Sequence, residues 1–131
     1  NLSGVRTLLK TLRKGGSVGL LPDQVPRAGE GVWTKFFGKP AYTMTLPAKL
    51  AHMSGATIIL SYAERLPYGQ GYAVHFIPFE RELIGTSEEQ AEIINTAMEN
   101  LITRCPSQYF WSYNRFKGQP PAITLSSDQQ S

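Results

Sequence analysis

Apolar positions along the chain fall into blocks with two different periods. Residues 4–14 carry Val5, Leu8, Leu9 and Leu12 on one helical face and Arg6, Lys10, Arg13 and Lys14 on the others, and Gly15-Gly16 ends that helix. Positions 17–21 are continuously apolar after Ser17, the pattern of a strand buried on both faces, and helix followed by such a strand is half of a βαβ arrangement. A second helix is predicted from Thr43 or Thr45 to about His52, with Pro47 early in it, Leu46, Leu50 and Met53 as its stripe and Gly55 closing it. Residues 57–62 read as another buried strand, and 72–79 as a period-two strand. The turn between them, 66–71, makes an antiparallel hairpin. Thr86-Ser87-Glu88-Glu89 opens a capping-box helix with Ala91, Ile94, Met98, Leu101 and Ile102 on one face, stopped at Pro106. The fold class is therefore α/β.

Between these blocks, residues 22–45 keep no regular period. A connection of this length inside a domain is usually functional or disordered, and Val32, Trp33, Phe36 and Phe37 make it too apolar for disorder. Asp23 and Gln24 follow Pro22 at the exit of the predicted strand, where polar groups commonly line a crevice in an α/β protein. Asp23 starting a simple turn fits the same residues. Trp33 to Lys39 mixes bulky rings with cations. That suits a lipid–water boundary, or a loop anchored to the core through Phe36 and Phe37. Gln108 to Lys117 is dense in aromatics and reads as a short element packed over the core, with stacking on bases or an interfacial lip as the other uses.

The 131 residues suffice for one modest domain, assigned to 1–117, with 118–131 a polar, Pro-containing tail expected to be disordered. Asn1 is an unusual start, so the sequence is expected to be a piece of a longer chain. No apolar run reaches the roughly 20 residues of a bilayer-spanning helix. Net charge is +3, too small a surplus to argue for nucleic acid. Cys105 is the single cysteine, and no His cluster has metal spacing, so neither a disulfide framework nor a metal or other cofactor is predicted. His75 and Glu80 have the spacing of a His–acid pair. In an extended strand, however, side chains five apart point to opposite faces, which excludes them as a dyad.

Five stretches occur in a telling order: Val5-Arg6 with Leu12-Arg13-Lys14-Gly15-Gly16, then Leu21-Pro22-Asp23-Gln24, then Phe36-Phe37-Gly38-Lys39-Pro40-Ala41-Tyr42-Thr43, then Leu50-Ala51 with Ser54-Gly55-Ala56, and last Pro106 to Trp111 with Arg115-Phe116-Lys117. From about residue 4 to 121 the chain resembles the C-terminal half of the bacterial lipid A biosynthesis (lauroyl/myristoyl) acyltransferases, in the lysophospholipid acyltransferase superfamily. The resemblance implies part of that superfamily's sheet, flanked by helices. It further implies acyl transfer from an acyl carrier protein thioester to a hydroxyl of a phosphorylated glycolipid acceptor, a lipid A precursor. The location implied is a membrane surface, at the cytoplasmic face of the inner membrane. The family's catalytic His-x4-Asp/Glu lies upstream of the Asp-Gln motif. No such pair stands there in this sequence, so no residue is assigned a catalytic role and the fragment alone is expected to be inactive. Asp23 and Gln24 match a strand-end motif that contacts the polar acceptor in the wider superfamily, and Phe36, Phe37, Gly38 and Thr43 match the loop and helix start beside it. Arg6, Lys35, Arg65 and Arg115 are candidate phosphate partners, bidentate arginine suiting phosphate. A non-enzymatic domain binding anionic lipid through Trp33, Phe36 and Phe37 is the alternative. A nucleic-acid module built on Tyr109, Phe110 and Trp111 is opposed by the modest net charge.

Overall fold

The structure is a computed structural model that describes residues 2–121; positions 122–131, most of the predicted tail, lie outside the described residues. In chain order the elements are α1 (Leu2–Arg13), β1 (Gly31–Phe36), β2 (Lys39–Met44), α2 (Leu46–Ser54), β3 (Ile59–Arg65), β4 (Tyr72–Pro78) and α3 (Ser87–Arg104). The α/β reading holds. The described strands form two separate antiparallel pairs, β1–β2 and β3–β4.

The fold is assembled on α3. Its start is fixed by a reciprocal capping box, in which Glu89 N–H donates to Thr86 Oγ1 at 3.2 Å and Thr86 N–H donates to Glu89 Oε2 at 2.6 Å. Its apolar face joins two clusters. One is Phe36 and Ala41 of the first hairpin packed on Ile102; the other is Ala48 of α2 and Leu83 packed on Ile94, and the half-buried Met98 touches both. Truncating Phe36, which is 1% exposed, removes the largest ring from the first cluster, a change that costs about 3–5 kcal/mol in well-packed cores. Helix α2 begins after Thr45 and closes on Gly55, whose N–H donates to the Ala51 carbonyl at 2.8 Å in the left-handed conformation of a C-terminal cap. Helix α1 buries Leu9, packs beside α2 and donates from Arg13 Nη2 to the Met53 carbonyl at 3.3 Å.

Three expectations are corrected. The stretch read as a long irregular loop contains the β1–β2 hairpin, whose two-residue turn is Phe37-Gly38 with φ of 48° and 73°. Positive φ at both central residues is the turn that matches strand twist, usually signalled by Asn-Gly; with Phe in the first place the signal is hidden. Residues 17–21 form no strand, and no βαβ half-unit results. A ladder needs a neighbour, no described strand pairs with this segment, and Val18 and Leu20 are half-buried along a cavity. Finally, the strand placed at 57–62 is β3, and its burial alternates along its length, Ile59 being 59% exposed. In a two-stranded antiparallel sheet one face can stay solvated, and here α3 packs toward only one.

Candidate functional site

Three phenols hold the segment that leads from residue 22 into β1. The Tyr109 hydroxyl donates to Asp23 Oδ2 at 2.9 Å, Val25 N–H donates to the Tyr113 hydroxyl at 2.9 Å, and the Tyr42 hydroxyl accepts from Gly29 and Gly31 N–H at 3.0 and 3.1 Å. Val25 and Gly29 thereby gain backbone partners outside any strand. Burial, and next the carboxylate it donates to, hold the Tyr109 phenol well above the usual tyrosine range.

Asp23 lines a cavity of about 450 Å³, within the ordinary size range of small-molecule sites. Leu12, Leu20, Leu50, Ile58 and Leu101 supply apolar wall, while Asp23, Gln108 and Tyr109 supply polar groups. The Gln108 side chain closes one corner by pairing with the backbone of Arg65 as a peptide group would. Arg65 N–H donates to Oε1 at 2.7 Å, and Nε2 donates to the Arg65 carbonyl at 3.0 Å. The result is a mainly apolar cavity to which Asp23 contributes a carboxylate.

The predicted site residues separate into groups. Asp23 lines the cavity; Gln24 beside it is exposed and does not. Arg6 is exposed on α1, Lys35 on β1 and Arg65 at the end of β3. Phe37 and Gly38 form the hairpin turn, and Phe36 is core. Thr43 and Arg115 are buried and partner each other. Arg115 Nη2 donates to Thr43 Oγ1 at 2.8 Å and Nη1 donates to the Tyr42 carbonyl at 2.7 Å, while the guanidinium lies 5.2 Å from the centre of the Phe36 ring. Thr43 Oγ1 also accepts from Asn95 Nδ2 at 3.1 Å and donates to the Ala41 carbonyl at 3.0 Å, and Asn95 Nδ2 reaches the Lys35 carbonyl at 2.9 Å. At 3% exposure the Arg115 guanidinium loses hydration, which lowers its pKa below the usual arginine range. This arginine fastens the C-terminal segment to the first hairpin from inside.

Sequence reasoning missed Asn95, Tyr42, Tyr109 and Tyr113 as organising residues. For Asn95 a signal existed: a polar residue inside the buried stripe of α3 is a candidate buried hydrogen-bonding group. His75 has a carboxylate after all, across the hairpin. Its Nε2 lies 3.0 Å from Glu64 Oε2, with the ring stacked on Tyr62, and both partners are about two-fifths exposed.

Comparison with known proteins gives a consistent picture. A family model described as bacterial lipid A biosynthesis acyltransferase matches residues 1–118. The chain is 31% identical over 121 residues to a lipid A biosynthesis lauroyltransferase of Escherichia coli (strain K12), covering 91% of this chain and 40% of that protein. It is 32% identical over 120 residues to a lipid A biosynthesis palmitoleoyltransferase of the same organism, covering 90% and 39%. A lipid A biosynthesis acyltransferase of Haemophilus influenzae is 31% identical over 111 residues, covering 83% and 34%. The chain thus spans about two-fifths or less of the length of these relatives, matching their C-terminal portion.

Proposed function

The chain belongs to the bacterial lipid A biosynthesis acyltransferase family, and from that premise we propose that it forms the acceptor side of an enzyme that acylates a lipid A precursor. The donor in this reading is an acyl carrier protein thioester, the acceptor a hydroxyl on a phosphorylated glucosamine disaccharide, and the place the cytoplasmic face of the inner membrane.

The observation that carries the reading is Asp23, a carboxylate in the lining of a mainly apolar cavity in a chain of this family. An ionised carboxylate offers about four lone-pair sites, and the Tyr109 hydroxyl occupies one on Oδ2. Oδ1 is left to accept from a sugar hydroxyl, while Tyr109 keeps the group from rotating. Gln24, next in the chain and exposed, offers an amide outside the cavity lining. Arg6, Lys35 and Arg65 are the exposed candidates for phosphate contact; Arg115 is engaged internally. Removal of the acceptor's proton is the work of a histidine–acid pair in the family pattern, and no pair in this sequence matches that pattern.

Acyl transfer measured with a radiolabelled acyl carrier protein thioester and the disaccharide acceptor tests this division of labour. The chain by itself is expected to give no turnover above the uncatalysed rate. Turnover by the chain alone would contradict it.

A further inference from the structure

Two aromatic stretches that lie far apart in the sequence meet in the fold. The buried Phe36 ring sits 4.8 Å from Phe37 in an edge-on contact and 5.9 Å from Phe116, and Phe37 continues to Trp111 at 5.8 Å. Above Phe36 the rings are open to solvent: Trp111 is 56% exposed, Phe116 38% and Phe37 37%. They are held in place. Trp111 Nε1 donates to the Pro106 carbonyl at 2.7 Å, Phe37 sits in the tight turn, and Arg115 underpins Phe36. Cations border the rings, with the Lys39 ammonium 5.9 Å from the centre of Phe116 and that of Lys117 5.9 Å from Tyr113. The carboxylate that reaches the turn, Glu99, is already accepting the Phe37 N–H at 2.6 Å.

We propose that this patch docks on the surface of an anionic phospholipid bilayer, with Phe37, Trp111 and Phe116 at headgroup depth and Lys39 and Lys117 against lipid phosphates. The mixture of residue types selects this occupant. Centres of protein–protein interfaces are enriched in aromatics but depleted in lysine, whereas rigid rings bordered by lysine are the composition of a lipid–water boundary. The proposed contact is made by side chains at headgroup depth; no helix among the described residues is long and apolar enough to cross a membrane. The inference is independent of acyl transfer, because it concerns the hairpin tip and C-terminal segment and needs no turnover.

The chain has two tryptophans, so Trp33→Phe leaves Trp111 as the sole indole reporter. With vesicles of phosphatidylcholine plus phosphatidylglycerol, its emission is expected to shift to the blue and to be quenched by brominated acyl chains; pure phosphatidylcholine gives much less. Lys39→Gln combined with Lys117→Gln, both at exposed positions, is expected to weaken partitioning about 30-fold. Circular dichroism checks that the fold persists, and the lysine pair tests the surface without touching any ring. Three results overturn the proposal: binding without a Trp111 response, equal binding to neutral vesicles, or loss of binding on Lys10→Gln with Lys14→Gln while the patch lysines are without effect. The last assigns the membrane contact to α1.

Discussion

The Tyr109 hydroxyl donates to Asp23 Oδ2 at 2.9 Å, a bond between positions 86 residues apart that joins two lining residues of the cavity. Because the folded phenol titrates above its unfolded value of about 10, the stability tied to its neutral form is complete below pH 10 and is lost as pH rises toward the folded value. A spectrophotometric titration of the six tyrosines should show one phenol ionising last, absent in Tyr109→Phe. That variant should lose about 1 kcal/mol in urea unfolding at neutral pH, and less as pH rises above 10.

Thr43 Oγ1 collects Arg115 and Asn95 at one buried point. Arg115→Met removes the donors to the Tyr42 carbonyl and to Thr43 Oγ1, which keeps only Asn95 Nδ2, and should cost about 3 kcal/mol. Arg115→Lys should recover little, because an ammonium cannot reproduce the planar fork that reaches both. Combined with Asn95→Leu, the effects should depart from additivity by at least 0.5 kcal/mol or so in a double-mutant cycle of denaturant unfolding.

The first hairpin gives a paired test on glycines. A Cβ on Gly38 would meet open space, yet φ there is 73°, so Gly38→Ala should cost about 1 kcal/mol from backbone conformation alone. A Cβ on Gly31 would stand 2.6 Å from both Pro26 Cγ and the Thr43 carbonyl oxygen. Gly31→Ala should therefore lower the thermal midpoint more than Gly38→Ala does.

On the outer face of β3–β4, Ile59, Tyr72, Val74 and Phe76 are 59–72% exposed. An apolar face with open strand edges favours self-association. Light scattering should show species larger than a monomer, and Val74→Lys should reduce them; a monodisperse monomer of the unmodified chain would refute this.

How far the sequence could be read follows from the range of each interaction. The helices α1, α2 and α3 and the second hairpin were visible because amphipathic spacing, the Thr86–Glu89 box and Gly55 are local signals. The β1–β2 hairpin was not, because its turn uses Phe at a position where Asn or Gly is the usual cue. The apolar run 17–21 reported burial correctly in part, but pairing depends on a neighbour that an apolar run does not specify. Asp23 was legible as a polar group at a segment's exit, while its partner Tyr109 carries no local sign of the link. Arg115 shows the same limit. Its fork suits a phosphate or a pair of buried oxygens, and only its placement under Phe36 decides between them. His75 pairs with Glu64 and not with Glu80 because hairpin register places Tyr62 opposite His75, leaving Glu64 diagonal on the same face.

The role proposed for Asp23, a lining residue of the cavity, is to receive the sugar end of a phosphorylated disaccharide acceptor. Titrating the chain with that acceptor while following backbone amide NMR shifts tests it most directly. The account expects saturable shifts at Asp23, Gln24 and their neighbours around Tyr109, with Asp23→Asn weakening the apparent affinity about tenfold. Shifts confined to α1, or none at any acceptor concentration, would contradict it.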